Sequence, residues 1–310
     1  MNALQQPRIA VLLPCYNEEA AIGATVAGFR AALPGATIYV YDNNSRDRTR
    51  EIAAEAGAIV RTERLQGKGH VVMRMFADVD ADVYVMADGD LTYDPKAAPT
   101  MVDVLLDEEL DMVVGTRRHD EKDAYRGGHV LGNRIFTGLL AGLFGRSFSD
   151  IFSGYRVFSR RFVKSFPVIS SGFEIETEMS VHALELKMPV GEVETAYGAR
   201  PEGSHSKLST YGDGWRILRT IMTLYRVERP ALFYGIIGAL LVGLAIGLAV
   251  PLVVTYLQTG LVPRFPTAIL VTGIIIIAVL CFFAGLILDT VTRGRRELRR
   301  LAYLSLGAPR

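Results

Sequence analysis

Short apolar runs alternate with longer amphipathic stretches through the first 115 residues. Runs rich in β-branched and aromatic residues are typical of strands, and stretches of good helix formers between them are typical of helices. The predicted strands are Arg8–Leu13, Thr37–Tyr41, Ile59–Arg61, Val83–Ala87 and Met112–Gly115. The predicted helices are Glu18–Leu33, a segment ending at Ala56, Lys68–Val79 and Lys96–Glu109. This alternation predicts an α/β fold with a mainly parallel sheet covered on both faces.

The hydrophobic pattern changes near residue 230. Leu232–Leu257 is apolar except for one threonine and two tyrosines, and Thr267–Leu288 carries no charge. Each segment exceeds the ~20 residues that a helix needs to cross ~30 Å of hydrocarbon. We therefore expect two transmembrane helices joined by the connector Gln258–Pro266. The expected organisation is a catalytic domain (1–211), a juxtamembrane amphipathic helix (212–230) and a transmembrane domain (231–310).

The formal charge of +1 conceals two opposite halves. Residues 231–310 hold seven arginines and two acids, or +5, whereas the first 230 residues hold the remaining 27 basic and 31 acidic residues, or −4. Such a balance does not favour a nucleic-acid partner. Arginines precede the first predicted span and follow the second, while only Arg264 lies in the connector. The positive-inside bias therefore predicts an integral membrane protein whose catalytic domain and both termini are cytoplasmic.

Charged residues follow three of the predicted strands. Asp42, Asp88 and Arg117 stand at strand ends, where ligands bind in parallel α/β sheets. The pair of carboxylates in Asp88-Gly89-Asp90 suits Mg²⁺ or Mn²⁺ on a diphosphate, although the same tripeptide alone also fits a solvated turn. The run 42–45 offers hydrogen bonds to a nucleoside, Asn44 among them, or a helix cap. Lys68, between two glycines, is expected to approach the diphosphate or simply to turn the chain.

Several motifs together resemble glycosyltransferase family 2, whose nucleotide-sugar-binding domain has the Rossmann-like GT-A fold. They are Pro14–Glu19 (PCYNEE), Asp42–Asp47 (DNNSRD) and Asp88–Asp90 (DGD). Later segments are similar to the polyprenyl-phosphate branch, which includes the dolichyl-phosphate mannose synthases. These are Gly115–Arg117, Gly132-Asn133, Asp150–Arg156 and Arg200 with Gly203–Lys207. The resemblance covers about residues 8–210, and two C-terminal spans occur in bacterial relatives.

The resemblance implies roles for the matching positions. The nucleoside would be lined by Pro14, Tyr16, Glu18 and Asp42. The metal and diphosphate would be held by Asp88 and Asp90, and phosphates, chiefly that of the acceptor lipid, by Arg117, Arg126, Arg200 and Lys207. Two positions depart from the pattern. Asn43 replaces a frequent second Asp, which leaves the base open, and Thr92 replaces a Gln near the metal.

The chemistry needs positioning more than a base. A phosphate monoester is largely dianionic near neutral pH, so the site must hold two anions together and neutralise the departing diphosphate. We expect inverting transfer of a sugar from UDP or GDP to a membrane polyprenyl phosphate, with Asp88, Asp90, Asp150 and Arg117 as catalytic residues. Asp150 is expected to orient Arg156; contact with the sugar or acceptor is the alternative.

Three further features carry alternatives. Glu174, Glu176 and Glu178 open a predicted helix, where the helix dipole favours acids, although a sugar contact stays open. Apolar stripes in 130–144 and 215–225 predict amphipathic helices at the bilayer surface, or core-facing helices, and leave room for a homo-oligomer. A polysaccharide synthase of the same family would carry a Gln-X-X-Arg-Trp element, whereas the sole tryptophan, Trp215, lies in none. A non-catalytic membrane scaffold that binds sugar nucleotides is the remaining alternative.

Overall fold

The computed structural model describes residues 6–118, 138, 148–168, 172, 174–198, 222–223 and 226–307. The strands are β1 (Ile9–Cys15), β2 (Thr37–Asp42), β3 (Ile59–Thr62), β4 (Val83–Met86), β5 (Met112–Arg118), β6 (Arg156–Ser159) and β7 (Val190–Ala196). The helices are α1 (Ile22–Ala32), α2 (Thr49–Glu55), α3 (Lys68–Asp78), α4 (Ala98–Asp107), α5 (Arg160–Ser165), α6 (Ile175–Leu186), α7 (Pro230–Thr259) and α8 (Phe265–Leu304).

The described strands form one sheet in the order β3-β2-β1-β4-β6-β5-β7. All neighbours pair in parallel except β6, which is antiparallel to both β4 and β5. The expected α/β fold with a mainly parallel sheet is therefore confirmed, and the five predicted strands are present. The pattern did not predict β6 or β7.

The reversed strand β6 brings a second loop to the sheet edge where β4 and β5 end. Its first residue, Arg156, pairs with Met86, the last residue of β4, and with Val114 of β5, which continues beyond that pair to Arg118. The chain entering β6 must therefore arrive at this same edge. As a result, Asp150–Gly154 lies beside the ends of the parallel strands.

The core of the sheet domain is apolar and fully enclosed. Alternate residues of β1, such as Val11 and Leu13, pack under Phe29 of α1, which meets the ring of Tyr155 edge-on at 6.1 Å. Burial of side chains of this size contributes roughly 1.5–3 kcal/mol each. The enclosed core supplies a rigid edge on which polar residues can be placed.

The two C-terminal helices have a different character. The most apolar 18-residue windows of α7 and α8 have mean hydropathies of 2.7 and 2.9, and only 11% and 17% of those windows are buried. A core helix of a soluble protein would be mostly covered, so these helices have the length and the exposed apolar surface of membrane spans. The chain divides into two compact units, residues 1–214 with 298–310 and residues 215–297.

Within the second unit, glycines let α7 and α8 approach closely. A Cβ at Gly285 would lie 3.2 Å from Cβ of Tyr234, and one at Gly238 would lie 3.2 Å from the carbonyl oxygen of Ala278. Small residues at helix contacts are typical of membrane helix pairs, because association there depends on close packing.

The end of α8 belongs to the first unit and is bound to its polar residues. Tyr303 Oη donates to Asp111 Oδ2 at 2.8 Å, and Arg299 Nη1 donates to Glu185 Oε2 at 2.6 Å. Arg161 also pairs with Asp111 and lies 4.9 Å from the centre of the Tyr303 ring. Because Asp111 directly precedes β5, the last turns of α8 brace the start of the strand that carries Arg117.

Candidate active site

The loops that follow β1 and β2 are tied together. The backbone N–H of Asn43 donates to the carbonyl of Cys15 at 2.8 Å, and the backbone N–H of Asn17 donates to Ser45 Oγ at 2.8 Å. Asn17 has a φ of 53°, in the left-handed region, which an asparagine tolerates better than most residues. The structure thus brings together the ends of β1 and β2 and the loops that follow them, which hold the residues expected to line the nucleoside, namely Pro14, Tyr16, Glu18, Asp42 and Asn44.

Asp42 is fully buried at the end of β2. Its carboxylate accepts the backbone N–H of Ser45 at 3.2 Å and lies 3.9 Å from Arg50. This arrangement is a loop cap of the kind that acidic side chains make, and it coexists with a position at the sheet edge. Asn44, by contrast, is exposed and donates to the carbonyl of Arg64 at 2.8 Å.

Asn43 holds the loop that leads into α3. Its Nδ2 donates to the carbonyls of Glu63 and Leu65 at 3.0 and 2.8 Å, and its Oδ1 accepts the backbone N–H of Gly67 at 2.7 Å. An aspartate could not make the two donations. The asparagine at this position therefore has a structural explanation that is independent of the nucleobase.

Asn43→Asp should lower the stability of the first unit. The carboxylate would face two buried carbonyl oxygens without a donor, at a cost of about 2–4 kcal/mol. Thermal unfolding of the detergent-solubilised protein measures the loss. Asn44→Asp is the matched control, since Asn44 is exposed, and it should change the unfolding midpoint much less. Equal unfolding midpoints for the two variants would contradict the role of Asn43 in holding the loop that leads into α3.

Lys68 lies between two carboxylates at the start of α3. Its Nζ donates to Asp88 Oδ1 at 2.5 Å and pairs with Glu176 Oε1 at 2.5 Å, and its side chain is 9% exposed. Burial alone would lower the pKa of this ammonium, but the charges of Asp88 and Glu176 outweigh burial and raise the pKa above its ordinary value. Lys68 is therefore a fixed cation beside the Asp88 carboxylate.

Glu176 at this position was not predicted. The helix-dipole interpretation places the acids in the first turn of α6, and Glu176 and Glu178 do lie there. Glu176 is nevertheless buried and turned toward Lys68. The structure shows that α6 is buried on nearly all sides, so a glutamate inside it needs a cation, and the sequence alone did not show this burial.

Asp90 is held rigidly after β4. It is buried, and its Oδ1 accepts both the hydroxyl of Thr92, at 2.6 Å, and the backbone N–H of Thr92, at 3.2 Å. Between the two aspartates, Gly89 lies against Cys15, and a Cβ there would overlap the Cys15 sulfur. The Thr92 hydroxyl therefore orients Asp90, and Gly89 allows the close approach of the loops.

The two aspartates suit a hard divalent cation. Among the described residues no group of three or more His, Cys, Asp or Glu side chains could hold a metal. Mg²⁺ commonly needs only one or two carboxylates when phosphates and water complete its shell. The Asp88 side chain is 31% exposed, so it can reach a ligand, whereas Asp90 is buried and held by Thr92. The donor set fits Mg²⁺ or Mn²⁺ bound together with a diphosphate.

Asp150 pairs with Arg117, not with Arg156, and this corrects the expected orientation of Arg156 by Asp150. Arg117 Nε donates to Asp150 Oδ2 at 2.7 Å and Nη2 donates to Oδ1 at 2.9 Å. Burial would raise the pKa of Asp150, but the hydrogen bonds and charge of Arg117 hold it below its usual value. Burial would likewise lower the pKa of Arg117, and Asp150 raises it instead. This bidentate geometry locks the guanidinium at the end of β5.

Arg156 has a structural role in the described part of the chain. It is fully buried, and its guanidinium donates to the carbonyls of Ser153 and Ile151 at 2.9 and 2.6 Å and to Ser180 Oγ at 3.0 Å. Burial lowers its pKa to about 10. These bonds shape the loop before β6, which presents Asp150 to Arg117.

Gly154 connects the two charged clusters. Its backbone N–H donates to Tyr93 Oη at 2.8 Å, and a Cβ on it would lie 3.0 Å from Asp88 Oδ2 and 3.3 Å from Lys68 Nζ. Arg117 in turn lies 5.4 Å from the ring centre of Tyr197, which packs on Tyr93. Asp88, Lys68 and Arg117 are thus joined through one loop and two aromatic rings.

Some expected site residues lie outside the described residues. These are Arg126, Arg200 and Lys207, together with the apolar stripe in 130–144 and most of that in 215–225. Of the cations that the sequence predicts to hold phosphates, the structure describes Lys68 and Arg117.

The model for "Glycosyl transferase family 2" matches residues 10–166, about half of the chain. The chain belongs to glycosyltransferase family 2. Among curated relatives, glycosyltransferase AglJ of Haloferax volcanii is 35% identical over 232 residues, which is 74% of this chain and 76% of that protein. The dolichyl-phosphate hexose transferase of the same organism is 28% identical over 221 residues, 71% of this chain and 95% of that protein.

Solved structures share the fold. Glucosyl-3-phosphoglycerate synthase from Mycobacterium tuberculosis, crystallised with Mn²⁺, UDP and glucosyl-3-phosphoglycerate, superposes with a TM-score of 0.58 at 23% identity. The match covers 71% of this chain and 79% of that one. The family and the GT-A fold expected from the motifs are therefore confirmed, and the protein is a family 2 glycosyltransferase with two apolar C-terminal helices.

Proposed function

We propose that this family 2 glycosyltransferase transfers a sugar from a UDP- or GDP-linked donor to the phosphate of a membrane polyprenyl phosphate, with inversion at the anomeric carbon. One observation carries the proposal. The same chain holds Asp88 and Asp90 at the sheet edge, an Arg117 guanidinium fixed by a carboxylate, and two exposed apolar helices. A water-soluble acceptor would not require such helices.

The relatives support a lipid phosphate acceptor. One of them is named a dolichyl-phosphate hexose transferase, and its match extends over 71% of this chain. The acceptor phosphate needs cations and no strong base, because it is already largely dianionic near neutral pH. Arg117 is suited to hold it, since Asp150 fixes the planar guanidinium from behind and leaves the arginine 22% exposed.

The donor would lie along the carboxyl ends of β1, β2 and β4. The loop after β1 would contact the nucleoside, the buried Asp42 would hold the adjoining loop through its bond to the Ser45 N–H, and Lys68 would hold the diphosphate. Mg²⁺ or Mn²⁺ bound by Asp88 and Asp90 would neutralise the charge of the leaving group. Glu176 keeps Lys68 beside Asp88 and so sets the position of the cation that the departing diphosphate meets.

The proposed location is a cytoplasmic membrane with the catalytic domain and both termini inside. Exposed arginines flank the shared end of the two apolar helices, whereas Arg264 lies in the connector at the other end. The positive-inside bias supports this orientation.

A labelling experiment tests the orientation. In sealed, right-side-out vesicles of a Cys-free variant, the connector thiol introduced by Gly260→Cys should react with an impermeant maleimide. If that thiol were protected from the reagent, the proposed orientation would be wrong.

The function is tested by offering labelled UDP- and GDP-sugars with undecaprenyl phosphate and either Mg²⁺, Mn²⁺ or a chelator. We expect a lipid-soluble product with one donor class, only in the presence of the cation, and a β-linked sugar by NMR. An α-linked product would refute inversion. If folded protein gave no product with any pair, the non-catalytic scaffold would become the better account, and polymer formation would favour a polysaccharide-type synthase.

A further inference from the structure

A cavity of about 260 Å³ lies within the second unit, between the helical residues 226–228 and the helices α7 and α8. The residues that line it include two arginines, a tyrosine and a threonine among aliphatic side chains: Arg226, Val227, Tyr234, Leu288, Val291, Thr292 and Arg295. At about 30 Å³ per water molecule, the space is large enough for a phosphate and its ester carbons. None of the sheet-edge residues Asp88, Asp90 and Arg117 lines it.

The cavity carries positive charge that the described residues do not compensate. Neighbouring arginines are paired, Arg293 with Asp289 at 2.8 Å and Arg296 with Glu228 at 3.0 Å. Within residues 226–307 and the rest of the described chain, by contrast, no carboxylate lies within 4.0 Å of either cavity arginine. Two guanidinium groups facing one cavity repel each other unless an anion lies between them.

The wall of the cavity is held in place. Thr292 Oγ1 is part-buried and donates to the carbonyl of Val227 at 3.1 Å, and Arg296 Nη2 donates to the carbonyl of Glu228 at 2.9 Å. Both bonds run from α8 to the helical turn that carries Arg226. The backbone of the turn is thereby fixed against α8, and so is the position from which the exposed Arg226 side chain extends.

The cavity also lies where lipid headgroups are expected. Leu288 is the last residue of the charge-free segment of α8, and Tyr234 lies near the start of the apolar part of α7. Both mark the same end of the antiparallel helix pair, where hydrocarbon gives way to water. Tyrosine is enriched at this boundary because its ring is apolar and its hydroxyl is polar.

We propose that this cavity binds an anionic phospholipid of the leaflet that faces the catalytic domain. The proposal rests on the membrane location proposed above. The phosphodiester would accept hydrogen bonds from both arginines, with Leu288 and Val291 alongside the first methylenes of the acyl chains. Because no sheet-edge residue lines the cavity, we assign this lipid a site separate from the one proposed for the acceptor.

The test measures lipid binding without turnover. Purified full-length protein in detergent is titrated with dioleoylphosphatidylglycerol, with dioleoylphosphatidylcholine and with undecaprenyl phosphate, and bound lipid is counted by native mass spectrometry. Arg226→Ala/Arg295→Ala should weaken phosphatidylglycerol binding about tenfold or more, since bonds to two charged donors are lost. Arg264→Ala/Arg293→Ala removes the same charge outside the cavity and should change binding by no more than about twofold.

Each outcome decides the proposal. Selective loss of phosphatidylglycerol in the cavity variant, with an unchanged unfolding temperature and unchanged binding of undecaprenyl phosphate, supports it. Equal losses of phosphatidylglycerol binding in both double variants would show that net charge alone causes the effect, and would overturn the proposal. Loss of undecaprenyl phosphate alone, or full displacement of the lipid by inorganic phosphate, would also overturn it. Sugar transfer in the variants is scored separately, so this inference can fail while the proposed function stands.

Discussion

Asp90→Asn should reduce kcat/KM for sugar transfer roughly 100- to 1,000-fold, on the scale seen when one preorganised charge-stabilising group is removed. The substitution keeps the shape and the acceptor oxygen that Thr92 uses, but it removes the negative charge that suits a divalent cation. Stabilisation of the departing diphosphate depends on that charge, whereas contacts to the nucleoside do not. The measurement is initial rate against donor concentration, with saturating polyprenyl phosphate and a range of Mg²⁺ or Mn²⁺ concentrations.

The control for Asp90→Asn is Asp94→Asn. Asp94 stands four residues later and accepts the backbone N–H of Lys96 at the start of a short 3₁₀ turn, a cap that asparagine can replace. Its rate should stay within about threefold of the parent enzyme, consistent with a cap change of a few tenths of a kcal/mol. Nucleotide binding without metal should survive in both variants. If Asp90→Asn kept full activity, the Asp90 carboxylate would have no part in the mechanism.

The strand pattern was sufficient to predict which acids and cations share an edge. β1, β2, β4 and β5 are apolar runs that end at polar residues, and parallel strands present their carboxyl ends together. From that rule alone Asp42, Asp88 and Arg117 converge, and the structure agrees. β6 could not be predicted in this way, because its four residues, Arg156–Ser159, begin with an arginine and end with a serine and so do not form an apolar run.

The partners of charged residues were less predictable than their positions. Asp150 is close in sequence to Arg156, and that closeness favoured a local pair. Because β6 runs antiparallel to its neighbours, the loop before it places Asp150 against Arg117. The Arg156 guanidinium instead donates hydrogen bonds to backbone carbonyls. Glu176 and Lys68 likewise meet only through the fold, 108 residues apart. Local spacing cannot specify such contacts, because they depend on the order of strands in the sheet.

Arg117→Ala should abolish most transfer and also destabilise the first unit. Loss of the proposed phosphate clamp should lower kcat/KM about 100- to 1,000-fold. The Asp150 side chain, 8% exposed, would then be a buried charge without its bidentate partner, at a cost of about 3–5 kcal/mol. Thermal unfolding and initial rates with varied polyprenyl phosphate measure the two effects on the same preparation.

The pH dependence of that destabilisation has a definite sign. In the parent protein the pKa of Asp150 is depressed, so the pair stabilises above the unfolded value of about 4 and loses this contribution as pH falls below it. In Arg117→Ala, burial without the arginine raises the pKa of Asp150, and protonation relieves the strain as pH falls from neutrality. The gap in unfolding temperature between the two proteins should therefore narrow toward acidic pH.

A double variant separates the structural effect from the catalytic one. Arg117→Ala/Asp150→Asn leaves no buried charge, so it should recover most of the lost stability at pH 7. It should not recover transfer, because the proposed acceptor clamp is still absent. Asp150→Asn alone keeps the guanidinium but loosens it, and its main effect should be a higher KM for polyprenyl phosphate. If the double variant regained both stability and activity, Arg117 would serve only to neutralise Asp150, and the acceptor phosphate would have to be held by other residues.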